Sequence, residues 1–198
     1  MLGLEACILD AGAGVVRSED TSALALRSAG GDPEKAWGAP LAFDGLTVFG
    51  RVRTERTRGQ GGVFVHRLQV HDHQDQHVSP LMALRGAADA ADVLAELARP
   101  GSCIRESWLR GEGDRLPQHV GCLFAREARL RFTDERFGMP GYAQLSLMSD
   151  RRIREEGPGA DEMGAFGFLQ PTHKWKNAGI RLREFMPVGM RALPIAVT

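Results

Sequence analysis

Glycine and proline decide first what this chain can become. Its 24 glycines and 10 prolines cut 198 residues into short segments, a pattern of many strands and turns rather than long helices. Within those segments, apolar side chains recur mainly at every second position, as half-buried strands require. Leu4 to Leu9 reads as a first strand. Leu46 to Arg53 and Val63 to Val70 read as two more, joined by Gly59, Gly61 and Gly62 into a β-hairpin with a basic tip. Further alternation runs through Val120 to Phe132, through Ala143, Leu145 and Leu147, and through Ile180, Leu182 and Met186.

One segment breaks this rhythm. Ser79 and Pro80 form a helix start, and Leu81, Leu84, Ala88, Ala91, Leu94 and Ala98 follow at steps of three and four. Arg85, Asp89, Asp92, Glu96 and Arg99 recur on the opposite side, and Pro100-Gly101 ends the run. The spacing predicts an amphipathic helix over about 80–99. No internal repeat and no regular βαβ alternation is legible, which argues against a doubly wound fold. The expected fold is therefore α+β and predominantly β: an antiparallel sheet or open barrel with that one helix packed on it. It forms a single domain over 1–198, with an irregular N-terminal excursion at 18–40.

Composition narrows the classes of function. Lys plus Arg and Asp plus Glu both number 25, so the net charge is zero and a general polyanion binder is disfavoured. The three cysteines, Cys7, Cys103 and Cys122, are widely spaced and form no C-x-x-C pair, as expected of reduced thiols in a cytoplasmic, bacterial-type protein. No apolar run approaches the roughly 20 residues needed to cross a bilayer, so no membrane partner is expected.

Two clusters carry candidate chemistry. His71, His73 and His77 surround Asp75 in an H-x-H-x-D-x-H run, and imidazoles two apart on a strand can share a divalent metal. The run resembles the H-x-H-x-D-H junction of the metallo-β-lactamase superfamily with one residue inserted. It also resembles the H-x-H of metal-binding cupins, without their following Glu. Neither pattern is matched in full, and neither family's site is carried over. The second cluster is basic: Arg51, Arg53, Arg56 and Arg58 crowd the expected hairpin, and Lys174, Trp175 and Lys176 interleave a ring with two ammonium groups. Arginines and glycine N–H groups can track phosphates, and bases stack on aromatic rings. The plainer reading is that these charges solvate the outer faces of strands, some of them paired with Glu55, Glu155 and Glu156.

Other signals are weaker. The cysteines sit in apolar context, where a thiol is usually a small core residue. There is no G-x-S-x-G elbow, no P-loop and no dinucleotide fingerprint. Asp161 and Glu162 precede Met163-Gly164-Ala165-Phe166-Gly167-Phe168, a run suited to lining a pocket, an interface or a buried strand. With no catalytic motif and no resident cofactor implied, the leading expectation is a non-catalytic interaction or assembly module, one subunit of a homo- or hetero-oligomer. The alternatives are a nucleic-acid-binding subunit using the arginine hairpin and the Lys174–Lys176 segment, and a metal-dependent enzyme centred on His71, His73 and His77.

Overall fold

The computed structural model describes residues 2–12, 17–18, 20–26, 39–70, 103–110 and 119–191. The first strands are β1 (Leu2–Asp10), β2 (Ser22–Ala25), β3 (Leu41–Phe49), β4 (Arg51–Thr54), β5 (Thr57–Phe64) and β6 (Leu68–Val70). They are followed by β7 (Cys103–Arg105), β8 (Trp108–Leu109), β9 (His119–Val120) and β10 (Leu123–Phe124). Every pairing between these strands is parallel. The expected antiparallel sheet or open barrel is thus overturned. The helix expected at 80–99 lies outside the described residues.

The register reveals the architecture. Leu41 lies beside Thr57, Val48 beside Phe64, and Val52 beside Leu68, so partners in successive turns differ by 16 positions. Ile104 beside His119 and Leu109 beside Phe124 give a turn of 15. The chain winds through successive turns and stacks each one on the last, the signature of a solenoid. One long sheet carries β1-β3-β5-β7-β9, with β8 pairing β5 and β10; β2-β4-β6 form a second sheet.

A shared corner bends the long sheet. Gly45, Gly61 and Gly121 each sit at φ +64°, and in-register Ala6 and Glu106 adopt φ 46° and 44°. Left-handed backbone at one level of every turn divides it into a flat stretch before the corner and another after it. A different glycine serves close approach: a Cβ on Gly59 would lie 2.2 Å from the Phe43 carbonyl oxygen and 2.7 Å from its ring.

The expected hairpin fails for the same reason. Gly59, Gly61 and Gly62 lie inside β5 rather than in a turn. A strand buried on one face alternates apolar residues whether its neighbours run parallel or antiparallel, so the pattern was compatible with both. Gly50, at φ 135°, separates β3 from β4 and sends the chain from one sheet to the other.

Packing occurs on both sides of the stretch after the corner. Its inward column Leu9, Val48, Phe64, Leu109 and Phe124 packs with Leu41, Phe43, Leu46, Val52 and Ile104 inside the solenoid. Phe43 and Phe64 meet edge to face at 5.4 Å. The outward neighbours Val63, Trp108 and Leu123 are buried as well, beneath Ala128, Ile153 and Met163. The Trp108 indole donates to the Ala128 carbonyl at 2.9 Å. Burial on two faces explains the unbroken apolar run at Val63-Phe64-Val65.

The covering segment is mostly turns, with isolated bridges Phe132–Leu145 and Asp134–Tyr142 where alternation suggested full strands. It contains α1 (Arg151–Glu155), 3-10 turns at Pro158–Ala160 and Gly167–Leu169, and α2 (Pro171–Phe185). The strand expected around Ile180 and Leu182 is therefore the second half of α2. Asp10 ties this segment to the first turn. Its carboxylate accepts from the Tyr142 hydroxyl at 2.5 Å, from the Gly12 amide at 2.7 Å and from Arg17 Nε at 2.8 Å. The Arg17 guanidinium lies 4.6 Å from the centre of the Phe49 ring.

Candidate functional site

The segment 157–170 builds two features that face solvent, one on each side of the Asp161-Glu162 pair. Asp161 is only 1% exposed, and its carboxylate caps α2. Oδ1 accepts from the Thr172 amide at 3.0 Å and Oδ2 from the His173 amide at 3.2 Å. Two of the amides that a helix start leaves without partners are satisfied this way, and a negative charge sits at the positive end of the helix dipole. Pro171 opens the helix at a position where its missing N–H costs nothing.

Beyond that first turn, α2 commits nothing to the core. None of its residues is buried. Trp175, Ala178, Leu182 and Phe185 follow one another at steps of three and four, one apolar stripe along a helix. Trp175 is 46% exposed, Leu182 40% and Phe185 83%. Lys174, Lys176, Arg181 and Arg183 share the helix with one acidic residue, Glu184. Lys176 pairs with Glu155 at 3.4 Å. Val188 and Met190 continue the exposed apolar surface past the helix end.

On the other side of the pair is a solvent-open cavity of about 240 Å³, between the left-handed corner of the first turns and the 157–170 segment. Glu5, Asp44 and Gln60 line it from adjacent turns, and Asp161, Glu162 and Phe168 from the segment. The segment is fixed to the solenoid by backbone bonds: the Gly164 amide donates to the Gly61 carbonyl, and the Ala165 amide to Thr47 Oγ1, both at 2.9 Å. Gln60 Nε2 reaches the Asp44 carboxylate at 3.3 Å. Glu162 is 8% exposed. Burial pushes its carboxyl from the ordinary 4.5 up to about 7, the Asp161 charge pushes the same way, and Arg154 opposes. Arg154 itself turns its Nε to the Ser149 carbonyl at 3.3 Å.

The residues singled out in the sequence are distributed differently. His71, His73 and His77 lie outside the described residues. Arg51 and Arg53 lie half-buried on β4 in the smaller sheet, while Arg58 is exposed on β5 in the long sheet. Arg56 sits between the two, so the four arginines do not share a hairpin arm. Lys174, Trp175 and Lys176 are exposed on the first half of α2. Among the described residues, no group of three or more His, Cys, Asp or Glu side chains is placed to hold a metal ion. Cys7, Cys103 and Cys122 are free and half-buried, and burial pushes the Cys122 thiol up to about 11, away from nucleophilic use at neutral pH. No described helix is long and apolar enough to cross a membrane.

Sequence reasoning marked Asp161, Glu162 and the glycine-aromatic run after them but not their neighbours. Glu5, Asp44 and Gln60 stand far apart along the chain and meet only through the turn register, so no local pattern announces them. Comparisons with protein-family models, curated proteins and solved structures find no match for this chain.

Proposed function

We propose that this chain is a non-catalytic assembly module that docks onto a different protein subunit through α2. The observation that carries this reading is a 15-residue helix with an apolar stripe and no buried residue. An amphipathic helix in water is marginal unless its apolar face finds a surface. Capping by Asp161 holds the helix in place, and helix-in-groove docking is the recognition mode its spacing suits.

Charge selects the occupant. Four cationic side chains against one anionic one on α2 disfavour pairing with a second copy of the same helix. The partner that fits presents an apolar strip flanked by carboxylates. Trp175 at the centre of the basic half is the expected anchor, since buried aromatics dominate such interfaces.

The reading is tested by native mass spectrometry of the chain isolated from its source cells, beside the variant W175A/L182A/F185A. The expected result is a stoichiometric complex with another protein for the wild type and a bare but still cooperatively folded chain for the variant. A wild-type chain that is bare, or a complex indifferent to the three substitutions, overturns the proposal. Co-isolated oligonucleotide lost in Lys174→Ala with Lys176→Ala would transfer the helix to the nucleic-acid reading instead.

A further inference from the structure

The cavity beside Glu162 carries an inference independent of the α2 surface. Every ionisable side chain that lines it is acidic: Glu5, Asp44, Asp161 and Glu162. Two of these already have partners. Asp161 spends its oxygens on backbone amides, and Asp44 accepts from Gln60. Glu162 is different. It is more than nine-tenths buried, and burial and the neighbouring Asp161 charge disfavour its ionised form with no hydrogen bond to offset them. A buried carboxylate without a donor is costly, and the cost is removed by a proton or by a cation.

Three features define which cation fits. The carboxylates are spread around the walls rather than clustered, and no three of them are placed for a metal. A volume of about 240 Å³ is below the roughly 300–1,000 Å³ typical of drug-sized ligands and accepts a small head group. The exposed Phe168 ring lines the same space and can lie against a delocalised cation. A planar group with several N–H donors meets separated carboxylates better than a compact ion does. Arg154, whose charge opposes the rise at Glu162, turns its Nε to the Ser149 carbonyl at 3.3 Å, and His173 Nε2 lies 3.0 Å from the Gly159 carbonyl and 3.8 Å from Asp161 Oδ2.

We propose that this cavity, lying between the left-handed solenoid corner and the 157–170 segment, is a binding site for a guanidinium group, with Glu162 as its principal partner. A free guanidino compound and an arginine side chain of another protein share this chemistry. The predicted contacts are Glu162 and Asp44 as acceptors, Gln60 as a third polar partner, and Phe168 against the plane.

The test is a titration of the whole chain at pH 8 with N-methylguanidinium, followed by amide shifts of Gly61, Gly164 and Gly167. N-methylurea serves as the neutral control of similar shape. The expected result is a saturable shift with N-methylguanidinium only, weakened at least tenfold in Glu162→Gln and weakened in Asp44→Asn, which sits at an exposed position and leaves folding intact. Binding should also weaken between pH 8 and pH 6 in the wild type but not in Glu162→Gln. No saturable shift, an equal response to the urea, or unchanged binding in both variants would overturn the site. So would tighter Ca²⁺ binding with the same shifts. Blocked arginine, carrying peptide bonds on both sides, separates the sources: binding comparable to N-methylguanidinium points to an arginine presented by a protein, and exclusion points to a free small molecule.

Discussion

At the scale of single residues, two positions make opposite demands on space and charge. Gly59 must lack a side chain because Phe43 occupies the place of its Cβ, whereas a Cβ on Gly3 meets nothing within 4 Å. Gly59→Ala should therefore destabilise by about 2 kcal/mol or more through overpacking, and Gly3→Ala by less than about 0.5 kcal/mol. Urea midpoints at a fixed slope check the pair. Glu162 sets a pH dependence of definite sign. Its folded carboxyl titrates at about 7 against 4.5 when unfolded, so the folded state holds the extra proton. The group's stabilisation is complete below pH 4.5 and is lost as pH rises through 7, by at most about 3 kcal/mol. Glu162→Gln cannot ionise. Its urea midpoint should rise relative to wild type between pH 5 and pH 8, and a difference that stays constant across that range would contradict the assignment.

Single elements show why some structure was legible in the sequence and some was not. Leu4 to Leu9 falls within β1, because alternation of one buried face is a property of the strand alone. The pairing partner is not. Leu46 to Arg53 and Val63 to Val70 were legible as extended, yet each is split at a corner and runs parallel to the other. Glycines in β5 looked like a turn because left-handed backbone and close packing need the same residue as a hairpin does. The end of α2 misled differently. Arg181 and Arg183 alternate with Ile180 and Leu182, a period of two within a helix whose apolar stripe has a longer period. Nothing in α2 is buried, so packing into this chain's core does not set the sequence there. It follows that W175A/L182A/F185A should lower the unfolding free energy by no more than about 1.5 kcal/mol, the sum expected of surface positions. A loss several times larger, read from denaturant midpoints, would mean that α2 belongs to the folded core.

The described strands form a stack of turns, and its repeat is written in geometry rather than in letters. Arg58 and Cys103 occupy the same level of successive turns, as Ala42 and Arg58 do, yet the first pair is separated by 45 positions and the second by 16. The chain between β6 and β7 is therefore 29 residues longer than a 16-residue turn of this ladder needs. That added length hides the repeat from inspection of the sequence, and His71, His73, His77 and the helix expected at 80–99 all fall in the same interval, outside the described residues. Joining Asp72 directly to Ser102 should preserve the ladder. Hydrogen exchange should find the β3 and β5 amides as protected as in the full chain, and a global loss of protection would show that the segment is required for folding rather than inserted into it. The acidic cavity was hidden by the same geometry, since Glu5, Asp44 and Gln60 become neighbours only when turns stack.

The proposed docking surface is tested most directly by a photo-crosslinking amino acid placed at residue 182 on the α2 stripe, with residue 184 on the charged side as the control, in the source cell. Docking through the stripe predicts a discrete adduct with a different protein from position 182, little or none from position 184, and loss of the adduct when Trp175 and Phe185 are alanine. No adduct from position 182, an adduct only with a second copy of this chain, or equal adducts from both positions would contradict it.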